Sequence, residues 1–265
     1  RRDTDADIYF VANRTNRAER VTCTFRVTGK APELWDAVSG NRRFAAAYSE
    51  ADGRTSLPLE FAPCGSWFVV FREPAASRPT TAKSNAMELR RVQELAGPWT
   101  VYFPVGMSAP ERDSSEMLRS DTRSIVFEKL TSWTEHPNPG IKFYSGTASY
   151  QKQFDAPRST LDGQRLFLDL GDLRELAEVR LNGRSLGIVW APPFRVEITG
   201  ALKPTGNVLQ IEVCNFWPNR IIGDESLPPE KRFTKTNIRK LTKDTPLMPS
   251  GLFGPVTLCT PGTSD

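Results

Sequence analysis

Six tryptophans and a single histidine are the residues of this sequence whose types and neighbours suggest a binding chemistry. Trp133, Trp190 and Trp217 each lie at the edge of a predicted strand, beside Pro, His, Asn or Arg. An exposed indole gives the CH face of a sugar a flat apolar platform, and nearby Asn, Arg and Asp side chains can hydrogen-bond its hydroxyl groups. These positions indicate carbohydrate binding, with packing of the rings at the open ends of the fold as the alternative.

His136 would have to serve any hydrolytic triad or Cys–His pair, because the sequence has no other histidine. Walker A, G-x-G-x-x-G and H-E-x-x-H patterns are absent, which excludes the common nucleotide, dinucleotide and metalloprotease sites. A histidine in a loop is more often a hydrogen-bonded scaffold residue or a ligand contact than a catalytic base. We therefore expect no catalytic residue in this chain.

The 31 acidic residues show no local signature of a glycosidase carboxylate pair. Hydrolysis by an unrecognised pair stays open as an alternative; it requires carboxyl groups about 5–5.5 Å apart for retention or about 6.5–9.5 Å for inversion. Asp224 and Glu225, in a predicted loop, could ligate calcium through oxygen. A solvated acidic pair is the alternative interpretation, so no metal is assigned.

Alternation of apolar and polar residues recurs along the chain, whereas helical stripes do not. This period places apolar side chains on one face of a sheet. Asn182-Gly183 is typical of a tight hairpin turn between two strands. The sequence therefore predicts an all-β chain built as two β-sandwich domains. The alternating runs are Val21–Val27, Trp67–Phe71, Leu166–Leu170, Phe194–Ile198 and Leu209–Val213.

A change in composition predicts the domain boundary. Residues 76–86 are rich in Pro, Ala, Ser and Thr and have no apolar period, as expected of a linker. We expect a small β-sandwich over 1–75, whose start is truncated, and a larger domain over 87–265. Two long irregular stretches, Pro104–Thr122 and Ile222–Ser250, are where function is expected, because long loops in compact domains usually carry it.

Charge and hydropathy narrow the class of partners. There are 35 basic and 31 acidic residues, giving a net charge of +4, and the two signs are interspersed. This pattern argues against a nucleic-acid partner, which would require a basic face. The longest apolar run is about five residues, against the ~20 that a membrane-spanning helix needs.

Four cysteines, at 23, 64, 214 and 259, have no zinc-site spacing. Their positions allow Cys23–Cys64 and Cys214–Cys259 disulfides, one in each half of the chain. Four free thiols are the equally weighted alternative. Disulfides would indicate an extracytoplasmic protein.

Short motifs occur in a fixed order along nearly the whole chain. This ordered set resembles the region that follows the catalytic barrel in glycoside hydrolase family 106, the α-L-rhamnosidases. Its last portion is similar to the galactose-binding-like jelly roll of family 2 glycosidases. The motifs are Asp5–Asn13, Pro32–Asp36, Cys64–Phe71, Leu95–Trp99, Ser132–His136, Gly140–Tyr150, Val179–Gly183, Trp217–Glu225 and Pro249–Val256.

The resemblance implies a parent enzyme that removes terminal L-rhamnose with a glutamate acid–base pair on an upstream (β/α)₈ barrel, usually with calcium. Such a barrel takes ~250 residues, so the family's catalytic glutamates map onto no position here. Residues 233–241 also lack the tryptophans expected in this loop of the family. A contact from that loop to substrate or barrel is therefore not predicted.

Together these patterns predict a non-catalytic accessory region of a secreted or periplasmic rhamnosidase-like enzyme. Its jelly roll would bind a polysaccharide or oligosaccharide, including rhamnose-containing glycans. Two alternatives remain: sandwiches that only brace the upstream barrel, and part of an active α-L-rhamnosidase. The start at Arg1 without methionine suggests a mature or excised fragment. The predicted sugar-binding residues are Trp133, His136, Tyr144, Trp190, Trp217, Asn219 and Arg220.

Overall fold

A computed structural model describes residues 1, 3, 5–77, 80, 82–104, 122–157, 164–237 and 240–262. Most of the predicted functional stretch Pro104–Thr122 lies outside the described residues. The chain forms two compact units: unit 1 consists of Arg1–Glu88 with Gly262–Asp265, and unit 2 of Leu89–Pro261. The domain ranges 1–75, 76–86 and 87–265 stay a prediction.

Unit 1 is a small sandwich of two antiparallel sheets. One sheet has the strand order β1-β7-β3-β4 and the other β2-β6-β5. Apolar side chains at every second position meet between the sheets, as Leu57, Leu59, Val69 and Phe71 do. The strands are β1 (Asp7–Ala12), β2 (Glu19–Phe25), β3 (Lys30–Asp36), β4 (Arg42–Phe44), β5 (Ser49–Ala51), β6 (Arg54–Phe61) and β7 (Ser66–Pro74), followed by a 3₁₀ turn at Ala75–Ser77.

Asn85, inside the stretch predicted as a linker, is a buried anchor of unit 1. Its amide donates to the carbonyl oxygens of Ala47 (2.6 Å) and Pro58 (3.0 Å). Its carbonyl oxygen accepts from the backbone N–H of Ala47 at 2.8 Å. Three hydrogen bonds to one buried side chain hold this segment against the sandwich.

Unit 2 is a larger sandwich built on a six-stranded antiparallel sheet of order β10-β9-β11-β17-β14-β15. A second sheet has the order β16-β12-β19-β8, and β13 pairs with β18. The strands are β8 (Leu89–Glu94), β9 (Trp99–Pro104), β10 (Thr122–Phe127), β11 (Thr147–Phe154), β12 (Phe167–Asp169), β13 (Asp172–Arg174), β14 (Leu176–Leu181), β15 (Arg184–Val189), β16 (Arg195–Glu197), β17 (Asn207–Cys214), β18 (Gly251–Gly254) and β19 (Thr257–Pro261).

Short helical segments interrupt the loops of unit 2. The helices are α1 (Pro139–Lys142) and α2 (Pro218–Asp224), and 3₁₀ turns lie at Trp133–Glu135 and Pro229–Lys231. Within the described residues no helix is long and apolar enough to cross a bilayer. The predicted all-β class with two β-sandwiches is confirmed.

The hairpin predicted at Asn182-Gly183 joins β14 to β15. Both residues have positive φ, 54° for Asn182 and 81° for Gly183, as a type I′ turn requires. The alternating run in β17 also lies as predicted, with Leu209, Ile211 and Val213 fully buried.

The four cysteines carry free thiols. Cys64 is exposed, Cys23 and Cys214 are partly buried, and Cys259 is buried. Burial raises the pKa of the Cys23 thiol, which makes it less reactive. Of the two alternatives left open by the sequence, the structure therefore has the free thiols.

A buried hydrogen-bond centre ties the loops of unit 2 to its core. The Trp133 indole N–H donates to the Tyr150 hydroxyl oxygen at 2.5 Å, and the Leu252 backbone N–H donates to the same oxygen at 3.2 Å. Burial raises the pKa of Tyr150 to about 12. Gly251, at φ 108°, is required here because a Cβ would lie 2.5 Å from the Trp133 indole nitrogen.

We expect Asn85→Ala to destabilise unit 1 by about 2–3 kcal/mol, because the backbone groups of Ala47 lose their buried partner. Urea unfolding with amide hydrogen exchange resolved to residues 1–88 measures the change. Ser84→Ala, at the exposed neighbouring position, is the matched control and should cost less than about 0.5 kcal/mol. Equal effects of the two substitutions would show that Asn85 is not an anchor.

We expect Tyr150→Phe to destabilise unit 2 by about 2–4 kcal/mol, because two buried N–H donors lose their acceptor. Denaturant unfolding followed by tryptophan fluorescence measures the loss. Tyr102→Phe removes a hydroxyl from the more exposed face of the same sheet and should have little effect. A Tyr150→Phe protein as stable as the parent would contradict this account of the core.

Candidate functional site

One edge of the six-stranded sheet gathers most of the residues that the sequence predicted for sugar binding. Cys214, at the end of β17, pairs with Thr147 at the start of β11 and with Leu176 at the start of β14. Val189, at the end of β15, pairs with Ala177. The segments that follow β15 and β17 therefore emerge at the same side of the sheet, where these two strands end. We call this region the loop edge.

Three aromatic rings are exposed at the loop edge: Trp190 is 59% exposed, Phe216 54% and Trp217 68%. Trp190 directly follows the edge strand β15, and the other two directly follow β17. These strands are two steps apart in the sheet, which corresponds to ~10 Å at the usual strand spacing. Rings this exposed have a free face that a partner molecule can cover.

Sequence reasoning did not identify Phe216 as a site residue. The alternation in β17 buries Leu209, Ile211 and Val213 and turns the even-numbered positions outward. Continued by two residues beyond Cys214, the same phase turns Phe216 outward. The phase does not extend further, because Trp217, at the next odd-numbered position, is 68% exposed.

A buried polar network lies beneath the exposed rings. The Asn215 amide donates to the Tyr144 carbonyl at 2.9 Å and to the Ser250 hydroxyl at 3.0 Å. The Asn219 amide donates to the same hydroxyl at 3.0 Å and to the Met248 carbonyl at 2.7 Å. Asn219 is fully used by these contacts and is buried, so it supports the site and does not face solvent.

Ser145 holds the backbone that carries two of the exposed rings. Its hydroxyl donates to the Phe216 carbonyl at 3.0 Å and accepts from the Arg220 backbone N–H at 3.2 Å. The peptide that carries Phe216 and Trp217 is thereby fixed at the start of α2. A platform held by a rigid base loses little conformational entropy on binding.

Arg220 and Asp224 form a buried ion pair within α2, with Nε and Oδ1 3.1 Å apart. Burial lowers the pKa of Arg220, and the charge of Asp224 opposes this shift. The other Asp224 oxygen accepts from the backbone N–H and the hydroxyl of Thr234, at 2.7 and 2.6 Å. The Arg220 guanidinium stacks 4.5 Å from the Phe233 ring centroid. Arg220, like Asn219, is therefore engaged by groups of the protein itself and supports the fold.

The two carboxylates considered for calcium are engaged by protein groups. Asp224 is held by Arg220 and Thr234, and Glu225 accepts from Arg232 at 2.7 Å. No group of three or more His, Cys, Asp or Glu side chains suited to a metal ion is found within the part of the chain that the structure describes. A calcium site at this pair has no support from the geometry.

Trp133 and Tyr144, predicted as sugar contacts, are core residues. Both are at most 2% exposed and pack edge-to-face on Phe103, with ring centroids 5.4 and 5.2 Å away. The Tyr144 hydroxyl donates to the Thr147 carbonyl at 2.9 Å, and burial raises its pKa to about 12. Neither ring has a free face for a sugar, because the core of unit 2 covers both.

His136 is partly buried, and it is more than 50 residues away in sequence from the three exposed rings. Its ring stacks on Phe127 at 5.7 Å, and Nδ1 accepts from the Asn138 backbone N–H at 3.1 Å. Burial lowers its pKa, so the imidazole is neutral at pH 7. These contacts are those of a scaffold residue.

Glu178 and Glu212 form a carboxylate pair that the sequence did not reveal. They lie directly opposite each other on β14 and β17, on the face turned away from the core. Glu178 is paired with Arg180 at 2.6 Å, and Glu212 accepts from Gln210 at 2.7 Å. Both carboxylates are therefore engaged by neighbouring side chains of the same sheet face.

Gly183-Arg184-Ser185-Leu186-Gly187 has the G-x-S-x-G spacing of a nucleophile elbow. In the structure it forms the β14–β15 hairpin, whereas an elbow joins a strand to a helix. The Ser185 hydroxyl donates to Glu178 at 3.1 Å, and no histidine accompanies it. This serine therefore lacks the partners of a hydrolase nucleophile.

Comparisons with known proteins match this chain to family models, to a bacterial protein and to a solved structure. Residues 1–49 match the family model of alpha-L-rhamnosidase. A protein of Formosa agariphila, named "Putative beta-glucuronidase", is 33% identical over an alignment 217 residues long; the match covers 72% of this chain and 18% of that protein. A solved rhamnosidase structure from Novosphingobium sp. PP1Y is 35% identical with a TM-score of 0.84, over 98% of this chain and 23% of the other.

The chain thus spans less than a quarter of the length of either relative. The predicted resemblance to rhamnosidases and to galactose-binding-like domains is confirmed. Residues 110–244, just over half of the chain, match the model described as glycosyl hydrolase 2 galactose-binding domain-like. The chain is rhamnosidase-like and belongs to the glycosyl hydrolase 2 galactose-binding domain-like family.

Proposed function

We propose that this chain is a glycan-binding accessory region of a rhamnosidase-like glycoside hydrolase. The observation that carries the proposal is the exposure of Trp190, Phe216 and Trp217 at one edge of the sheet. Catalysis would belong to a barrel elsewhere in the parent protein, which would act outside the cytoplasm.

The rings suit a sugar for two physical reasons. Each offers a flat apolar face that a pyranose can cover with its CH groups, and removal of that surface from water is favourable. A rhamnose unit adds a methyl group, which enlarges the apolar face. Hydrogen bonds of Ser145 and Asn219 hold the backbone that carries Phe216 and Trp217 before the ligand arrives.

The preferred ligand is a neutral, rhamnose-containing polysaccharide or oligosaccharide. The groups closest in sequence to the exposed rings are either uncharged or already paired, as Arg220 is with Asp224. Stacking and hydrogen bonds to hydroxyl groups would then supply the affinity. Weak binding that depends on several sugar units is expected from so open a surface.

We expect Trp190→Ala and Trp217→Ala each to weaken binding of a rhamnose-rich oligosaccharide about tenfold, since a lost stacking ring is worth ~1–2 kcal/mol. Isothermal titration calorimetry measures the dissociation constants. Trp190→Phe and Trp217→Phe keep a ring and should retain most of the affinity.

Val208→Ala is the control, because Val208 is exposed at the opposite end of β17 and should leave binding unchanged. Loss of binding in the Val208→Ala variant as well would contradict the proposed platform. Equal binding by the tryptophan variants and the unsubstituted chain would also contradict it. If the unsubstituted chain does not bind rhamnose-rich glycans, the alternative is favoured in which the sandwiches only brace the catalytic barrel.

A further inference from the structure

The outer face of the first sheet in unit 1 carries a second row of rings, which the proposed function does not use. Phe10 on β1 pairs with Phe68 on β7, and Phe68 pairs with Trp35 on β3. Trp35 in turn pairs with Arg42 on β4. These four residues cross the whole sheet in one line, and we call them the aromatic row.

The alternation of each strand turns this row away from the core. Tyr9, Leu34 and Val69 are the neighbours that pack inside unit 1. Phe10 is 59% exposed, and its ring centroid lies 5.0 Å from that of Phe68. The row therefore presents an open aromatic surface at its β1 end.

Trp35 is held in place by a charged pair. Its indole N–H donates to Glu33 at 3.0 Å, and Arg72 binds both oxygens of the same carboxylate at 2.6 and 3.1 Å. Burial raises the pKa of Glu33, but these hydrogen bonds keep it below its ordinary value. The carboxylate is thus ionised and is used by Arg72.

Arg42 is the unbalanced charge of the row. Its guanidinium carbon lies 4.2 Å from the centroid of the Trp35 ring. The side chain makes no hydrogen bond or salt bridge to any other residue within the described ranges. One carboxylate, Glu33, thus lies near two guanidinium groups, and Arg72 takes both of its oxygens. A guanidinium stacked on an indole is oriented in advance, and its N–H groups are free to bind an anion.

We propose that the aromatic row is a second carbohydrate site, specific for glycans that carry carboxylate or sulfate groups. Phe10 would stack on the CH face of one sugar, and Arg42 would hold the anionic group of another sugar of the same chain. Phe10 on β1 and Arg42 on β4 are three strands apart, which corresponds to ~14 Å, so the ligand must be an oligosaccharide. The site is in unit 1 and does not depend on the proposed function of unit 2.

Charge complementarity favours this occupant over a protein partner. Only Phe10 in the row exposes most of its ring, and Arg42 and Arg72 lie over Trp35 at its other end. An exposed ring at one end of the row and a cation at the other fit an elongated anionic chain. A protein interface would instead require a broad, continuous apolar core.

The test is calorimetric titration of the full chain with three probes: oligogalacturonides, sulfated oligosaccharides of similar length and neutral malto-oligosaccharides. We expect binding of at least one anionic probe, with an affinity that falls as salt is added. Arg42→Gln should weaken it about tenfold and reduce its salt dependence. Arg42→Lys keeps the charge without the planar fork and should have an intermediate effect.

Arg26→Gln is the matched control, since it removes an equal charge from an exposed residue outside the aromatic row. Equal losses in Arg26→Gln and Arg42→Gln would overturn the proposal, because they would indicate a general charge effect. Failure of both anionic probes to bind, or self-association abolished by Phe10→Ala, would also overturn it. Trp190→Ala should not change anionic binding, which separates this site from the loop edge.

Discussion

A buried hydrogen-bond network of Asn215, Asn219 and Ser250 constrains the loop of unit 2 that carries two of the exposed rings. Asn215, Asn219 and Ser250 satisfy one another and the backbone beneath the loop edge. Removal of one partner would leave a buried group unpaired, at a cost of ~1–3 kcal/mol. Because the network cannot rearrange cheaply, the backbone that carries Phe216 and Trp217 is held in place.

Sequence patterns predicted the strands well but only part of the candidate site. Alternation fixes which side of a strand faces the core, so β17 and the Asn182-Gly183 hairpin were predictable. Trp133 and Tyr144 lie in short turns, where no period tells inside from outside. Arg220 shows the same limit, because it is buried by contacts that its own sequence neighbourhood does not reveal. It pairs with Asp224 one helical turn away and packs on Phe233.

The two units show the same device with different chemistry. At the loop edge, uncharged hydrogen bonds hold the backbone of Phe216 and Trp217, and Arg220 nearby in the chain is paired with Asp224. In the aromatic row, the Trp35 indole N–H is held by the Glu33–Arg72 pair, and the Arg42 charge acts on Glu33 from a distance.

The most direct test of the central claim is a nuclear magnetic resonance titration of the six indole N–H groups with a rhamnose-rich oligosaccharide. The account predicts shifts for Trp190 and Trp217, while the buried Trp99 and Trp133 stay unchanged. No shift at either exposed indole, or shifts confined to the other tryptophans, would contradict it.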